Sequence, residues 1–232
     1  MKIFAKSFVL AMSVMFVASF IFGCATTEQV PYARESGFLG DYSKLHRGKS
    51  GQAEFVYRDL SADFSKYQKI IIDPVQLWAA EDEDSTLSKL SREDQQLLVD
   101  YLYVALSDSL KRDYVVVDEP GSDVMRMRCA ITEARAESPV RDLVSTLCPY
   151  GLGISYAKRI VTGTHSGVGV VSIEGEVVDS LTNQRLGAVV DRRAGTKTVM
   201  GGFTRWGDVQ DAFNFWARRI QTNLALLRAH QV

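Results

Sequence analysis

Between Met125 and Thr132 apolar and polar side chains alternate: Met125, Met127, Cys129 and Ile131 fall on one side, Arg126, Arg128 and Thr132 on the other. Successive side chains of an extended strand point to opposite faces, so the segment reads as a strand with one core face and one wetter face. Such a strand needs a cover, and the chain supplies one near its end. From Asp208, placed as an N-cap, Val209, Phe213, Trp216, Ile220, Leu224 and Leu227 recur every three or four residues, the spacing of an amphipathic helix. With Phe and Trp on one face, this helix is expected to pack on the sheet.

The other elements follow from period and punctuation. Ile70, Ile71 and Ile72 form a continuous apolar run closed by Asp73-Pro74, as a strand buried on both faces would. Ser91 and Asp94 have the spacing of a capping box and open a helix with Leu97, Leu98, Tyr101, Leu102 and Ala105, ending at Lys111. Tyr114 to Val117 predicts a strand stopped by Pro120-Gly121. Val171, Ile173 and Val177 alternate with Ser172, Glu174 and Glu176, and Thr182-Asn183-Gln184 turns the chain into a strand around Leu186 to Val190. The order is β-α-β-β-loop-β-β-α. It predicts an α+β fold with an antiparallel or mixed sheet of about five strands and two main helices packed on it.

At the start of the chain, Lys2 and Lys6 precede an apolar run from Phe8 to Phe22. At about 15 residues it is shorter than the roughly 20 that span a bilayer core. Ile21-Phe22-Gly23-Cys24 then has the layout of a lipoprotein signal peptide, a small residue standing before the cut. The partition expected is residues 1–23 as signal peptide, 24–35 as a polar, lipidated tether, and 36–232 as a single periplasmic α+β domain. Cys24 is the expected lipidation site. Ala25 lacks the aspartate that retains lipoproteins at the inner membrane, so the expected address is the outer membrane, lipid-anchored and facing the periplasm. In Ser36 to Tyr42 two glycines flank an apolar pair, a tight turn expected to press Phe38 and Leu39 against a core.

The 27 basic and 28 acidic residues leave an acidic excess that widens once Lys2 and Lys6 are removed. Nucleic acid requires a basic footprint and is not an expected partner. Beyond Cys24 the chain has Cys129 and Cys148. In an oxidising compartment they are either a candidate disulfide or two buried thiols behaving as small hydrophobes.

Four segments, in order along the chain, carry a family resemblance: Ser36-Gly37-Phe38-Leu39-Gly40-Asp41-Tyr42-Ser43; Ile72-Asp73-Pro74-Val75; Pro120 to Arg128; and Phe213 to Ala217. Behind a lipobox, they resemble the bacterial lipoproteins grouped as domain of unknown function 3313. The resemblance implies an outer-membrane or periplasmic lipoprotein without an assigned activity, and it offers no catalytic residue to carry over.

The residues themselves supply little chemistry. Asp142, His165 and Ser166 are the residue types of a hydrolase triad, but Ser166 lacks the G-x-S-x-G elbow. The glycine-rich stretch Gly163 to Gly169 has Val170 where a phosphate loop needs lysine. Cys129, Cys148 and His165 lack the paired spacing of zinc ligands, and Glu81 to Asp84 lacks the alternation of a calcium loop. No cofactor is expected. The segment Leu143 to Val161 is more apolar than a long loop requires. It packs either as core or as an interaction flap, with Leu152, Ile154 and Tyr156 as contact residues and Gly151 and Gly153 as hinges. The leading expectation is a non-enzymatic envelope lipoprotein that docks on or scaffolds other envelope proteins, or copies of itself. The alternative is a small-ligand-binding or hydrolytic envelope protein with a pocket around Asp73, Arg126, Arg128 and His165.

Overall fold

The computed structural model describes residues 27–31, 33–79, 86–136, 168–196 and 205–229. Its centre is a meander of three long antiparallel strands, β7 (Val124–Arg135), β8 (Val170–Asp179) and β9 (Arg185–Gly195). The alternation at Met125 to Ile131 lies in β7, and the Thr182 to Gln184 turn joins β8 to β9, with Asn183 at φ 57°. Beyond β7 run β4 (Lys69–Ile72) and β6 (Val115–Val116), with β4 parallel to both. β5 (Gln76–Leu77) continues along the same edge of β7, also parallel. Beyond β9 run β3 (Phe55–Arg58) and β2 (His46–Arg47), antiparallel. β1 (Thr27–Gln29) pairs with β9 on the same side as β3, further along.

Among the described residues the mixed sheet thus has nine strands, where about five are expected from sequence. The unanticipated ones, β1, β2, β3 and β5, are two to four residues long. Strands this short carry too few residues for a period to show, and they pair because a long neighbour offers an edge. β1 also changes the reading of residues 24–35. Thr27–Gln29 lies in the sheet and Val30 is buried, so the folded part reaches back to Thr27.

Two helices cover one face of the sheet. Helix α1 (Arg92–Leu110) is capped by Ser91, whose Oγ accepts from the Asp94 backbone N–H at 3.1 Å. Leu98, Leu102, Leu106 and Leu110 recur at i, i+4 and are all buried, whereas Leu97, expected on the packing face, is 42% exposed. Helix α2 (Gly207–Ala229) buries Val209, Ala212, Phe213, Trp216, Ala217 and Leu224. These residues pack with Ile70, Met125, Met127, Ile131, Val171 and Ile173 into one core. Asp208 sits within the first turn of α2, and its Oδ2 accepts from the Gly169 N–H at 2.7 Å, clipping the helix to the start of β8. The helices run side by side in the same direction: Trp206 Nε1 donates to Asp94 Oδ1, Asn214 Nδ2 to Tyr101 Oη, and Gln221 Nε2 to Asp113.

At the other end of the sheet, Asp179 organises the β8–β9 turn. It accepts from the backbone N–H groups of Leu181 and Thr182, the Tyr67 hydroxyl at 2.8 Å and Lys66 Nζ at 3.1 Å. Burial pushes its pKa up, but the Thr182 N–H, Tyr67, Lys66 and the Leu181 N–H outweigh that and hold the carboxyl well below its usual range.

Phe213 is fully buried, so Phe213→Ala is expected to cost about 3 to 5 kcal/mol in urea unfolding. A depressed carboxyl stabilises the fold above its unfolded pKa of about 3.9 and loses that contribution as pH falls below it. Asp179→Asn should therefore lower the melting temperature at pH 7 while shrinking the further loss seen on acidification from about pH 5 to about pH 2.5.

Candidate functional site

The second face of the sheet holds most of the polar chemistry of the fold. On β8 the alternation puts Val171, Ile173 and Val177 towards the helices and Ser172, Glu174 and Glu176 away from them. Alternation alone predicts a wetter face on that side. Instead Ser172 is 4%, Glu174 0% and Glu176 5% exposed, because residues 33–45 run back across the sheet as a strap over this face.

The strap is built by the Ser36 to Ser43 segment. Gly37 and Gly40 have φ of 92° and 71°, a region that costs a residue with a Cβ about 1 kcal/mol or more, and between these two bends Phe38 and Leu39 turn inward. They pack on Ala130, Ala188 and Val190, small or branched residues that leave room above β7 and β9. The Tyr42 hydroxyl accepts from the N–H groups of Gly37 (2.8 Å) and Leu39 (3.2 Å) and donates to Glu174 Oε2 at 2.6 Å. Glu174 Oε1 accepts from the Ser36 N–H at 2.6 Å. Burial, then the Glu174 hydrogen bond, pushes the Tyr42 phenol above its ordinary pKa, so it remains a neutral donor.

Two ion pairs flank this contact. Arg128 lies opposite Glu176 in register, and the Glu176 carboxylate takes Arg128 Nη1 at 3.0 Å on one oxygen and Arg185 Nε at 2.6 Å on the other. Arg185 then spends its remaining nitrogens on the strap, donating to the carbonyls of Leu39 and Asp41 at 2.6 Å each. Arg128 stacks on Phe38 with its guanidinium 5.7 Å from the ring centre. Phe38 meets Trp78 edge-on at 5.6 Å, and Trp78 Nε1 donates to the Ser36 carbonyl. Further along the face, Glu133, Ser172 and Arg192 form a row across three strands. Arg192 grips Glu133 with Nε at 2.7 Å and Nη2 at 3.2 Å, and Ser172 Oγ donates to Glu133 at 3.0 Å. Burial raises the Glu133 pKa, but Arg192 and Ser172 outweigh it and the net shift is downward.

The residues of the anticipated pocket are placed as follows. Asp73 and Arg126 come together, with Asp73 Oδ1 3.7 Å from Arg126 Nε. That is beyond hydrogen-bond reach, and Arg126 Nε is buried with no such partner among the described residues. Arg128, on the same face two residues on, is taken up by Glu176 and Phe38. His165 lies outside the described residues, as do Asp142, Ser166, Cys24, Glu81 to Asp84, Cys148 and the segment with Leu152, Ile154 and Tyr156. Cys129 faces the helix-covered core, where burial pushes its thiol up to about 12. Among the described residues no group of three His, Cys, Asp or Glu side chains could hold a metal ion, and no helix is long and apolar enough to cross a membrane.

Sequence reasoning anticipates the inward turn of Phe38 and Leu39 but not its anchorage. The signal available is the pair of glutamates, Glu174 and Glu176, in a strand whose neighbours are Val and Ile, together with the hydroxyl and backbone donors of a turn.

The chain belongs to the family described as Protein of unknown function (DUF3313), whose model matches residues 34–220, from the strap to α2. No curated protein matches it in sequence. Among solved structures it is similar to a PelC dodecamer from Paraburkholderia phytofirmans (11% identity, TM-score 0.39, covering 72% of this chain and 96% of that one), to a DUF4136 family protein from Bacteroides thetaiotaomicron (9%, TM-score 0.38, 73% and 94%), and to a hypothetical protein from Chlamydia trachomatis (11%, TM-score 0.41, 69% and 99%).

Tyr42→Phe removes a single oxygen that serves two strap N–H groups and one buried acid. It is expected to lower stability by about 1 to 3 kcal/mol, the cost of leaving buried polar groups unpaired. It should also speed amide hydrogen exchange at Gly37 and Leu39 more than at the β7 amides.

Proposed function

We propose that this chain is a lipid-anchored envelope protein without enzymatic activity, which docks on or scaffolds other proteins of the envelope. The observation that carries this reading is the commitment of the polar face. The acids and arginines that look most like a reactive set are spent on one another and on the strap: Arg128 and Arg185 on Glu176, Arg192 on Glu133, and Tyr42 and the Ser36 N–H on Glu174. A general acid or base must reach a substrate, and the carboxylates of Glu174 and Glu176 are buried and already paired. Of the residues of the rival reading, a ligand-binding or hydrolytic pocket, Asp73 and Arg126 face each other, Arg128 is taken up by Glu176, and His165 lies outside the described residues. The address comes from the sequence: the lipobox at Ile21 to Cys24 and the neutral Ala25 support anchorage in the outer membrane on the periplasmic side. Within this reading the apolar segment bearing Leu152, Ile154 and Tyr156 is the contact for a partner or for a second copy.

One experiment addresses anchorage and docking together. Cross-linked cells making wild-type, Cys24→Ala or Leu152→Glu protein are fractionated, and the protein is captured and weighed by mass spectrometry. The wild type should begin at an acylated Cys24, sediment with the outer membrane and retain defined envelope proteins or copies of itself. Cys24→Ala should keep residues 1–23 and lose the lipid mass, and Leu152→Glu should remain folded but lose the retained proteins. A native wild-type protein that keeps residues 1–23 contradicts the anchorage, and wild-type retention by a folded Leu152→Glu variant contradicts the contact.

A further inference from the structure

Thr27 is held in the sheet from several directions. It pairs with Gly195 at the end of β9, and Arg193 grips it twice, with Nε on the Thr27 hydroxyl at 3.0 Å and Nη2 on its carbonyl at 2.7 Å. Arg193 is itself pinned under Phe215 of α2, its guanidinium 3.7 Å from the ring centre. Thr27 is 3% exposed and Val30 1% exposed. The chain is therefore fixed to the body from Thr27 onward, and three peptide steps separate Thr27 from Cys24. Three residues reach at most about 10 Å even when fully extended.

The position of Thr27 in the sheet gives that short reach a direction. In register, Arg135 ends β7 opposite Val170, Val170 begins β8 opposite Ala194, and Gly195 ends β9 opposite Thr27. The Gly195 N–H donates to the Gly169 carbonyl, the Gly169 N–H to Asp208, and Trp206 and Arg205 both donate to Asp94. The starts of β1, β8, α1 and α2 and the ends of β7 and β9 thus form one end of the molecule. Exposed side chains there include Arg92, Glu93 and Arg135, and Arg205 is exposed although its Nη1 is held by Asp94. The β8–β9 turn with the exposed Leu181 marks the opposite end, about 30 Å away along the length of β8 at the rise of a strand.

We infer that the end of the sheet carrying Thr27 and Arg135 stands directly on the lipid surface, so that the domain is held upright at the membrane and presents the β8–β9 turn away from it. This rests on the acylation of Cys24 proposed above. A leash running through the whole polar stretch to residue 35 would let the body tumble. One that ends at Thr27 brings that end of the sheet to the headgroups, and the arginines there suit their phosphates. A partner in the periplasm would then meet the Leu181 end and the flanks, never the Thr27 end.

The test uses the full lipidated chain in vesicles of phosphatidylethanolamine and phosphatidylglycerol containing a headgroup spin-labelled lipid. A fluorophore is attached at Arg135→Cys or at Leu181→Cys, in a Cys148→Ser background. The Cys24 thiol is taken up by the thioether to the lipid and Cys129 is buried. Quenching at position 135 is expected to exceed that at 181 by about threefold or more. Inserting a glycine–serine spacer of about 30 residues between Ala25 and Thr26, with a root-mean-square span of about 30 Å, should bring the two values together. If Arg135→Cys does not fold, Arg92→Cys reports on the same end. Acylated protein that floats with the vesicles but is quenched equally at both ends overturns the orientation alone. A chain that is neither acylated nor carried by vesicles overturns the anchorage and the orientation with it.

Discussion

A buried carboxylate has to be met by donors, because its transfer out of water without them costs several kcal/mol. β8 places two on one face, Glu174 and Glu176, and the rest of that side of the molecule is arranged to satisfy them. Two arginines, from β7 and β9, answer Glu176. Glu174 is answered differently. Its donors are the Tyr42 hydroxyl and the Ser36 N–H, both on the strap, so the strap is held in place by the acid it covers. Gly37 and Gly40 supply the two bends that make this possible, and Phe38 and Leu39 add apolar contact between them.

The opposite face obeys a simpler rule. Leucines at i, i+4 on α1 and the Phe213, Trp216 and Ala217 side of α2 meet the Met, Ile and Val side of β7 and β8, and apolar area removed from water supplies the driving force. The polar contacts here are local, such as the indole N–H of Trp216 on Asp191 at 2.7 Å. Burial pushes the Asp191 pKa above its ordinary value, more than the Trp216, Gln29 and Glu54 hydrogen bonds pull it down. One face is thus fixed by shape and apolar area, the other by paired charges and a strap.

These two modes of packing explain what can be read from the chain beforehand. Period carries the long elements: β7, β8, β9 and both helices lie where alternation or three-four spacing puts them. The two-residue strands β2 and β5 have no period to read, and they exist because β3 and β7 present edges. Spacing alone puts both Leu97 and Leu98 on the packing side of α1, since the two are equally apolar and only tertiary contact chooses Leu98. The polar side of β8 reads as wet because Ser172, Glu174 and Glu176 are hydrophilic, and no local pattern states that a strap from far earlier in the chain will fold over them. Asp73 and Arg126 lie side by side, whereas Arg128 is drawn off by Glu176, a cross-strand neighbour that becomes visible only once the register is known.

Glu174 and Tyr42 hold the strap to the sheet as a coupled pair. A double-mutant cycle measures this directly, comparing urea unfolding of the wild type, Tyr42→Phe, Glu174→Gln and the double variant. A coupling energy of about 1 kcal/mol or more is expected, with the double variant little worse than the worse single one. Losses that simply add would show that the two side chains hold the strap independently and would contradict the pairing.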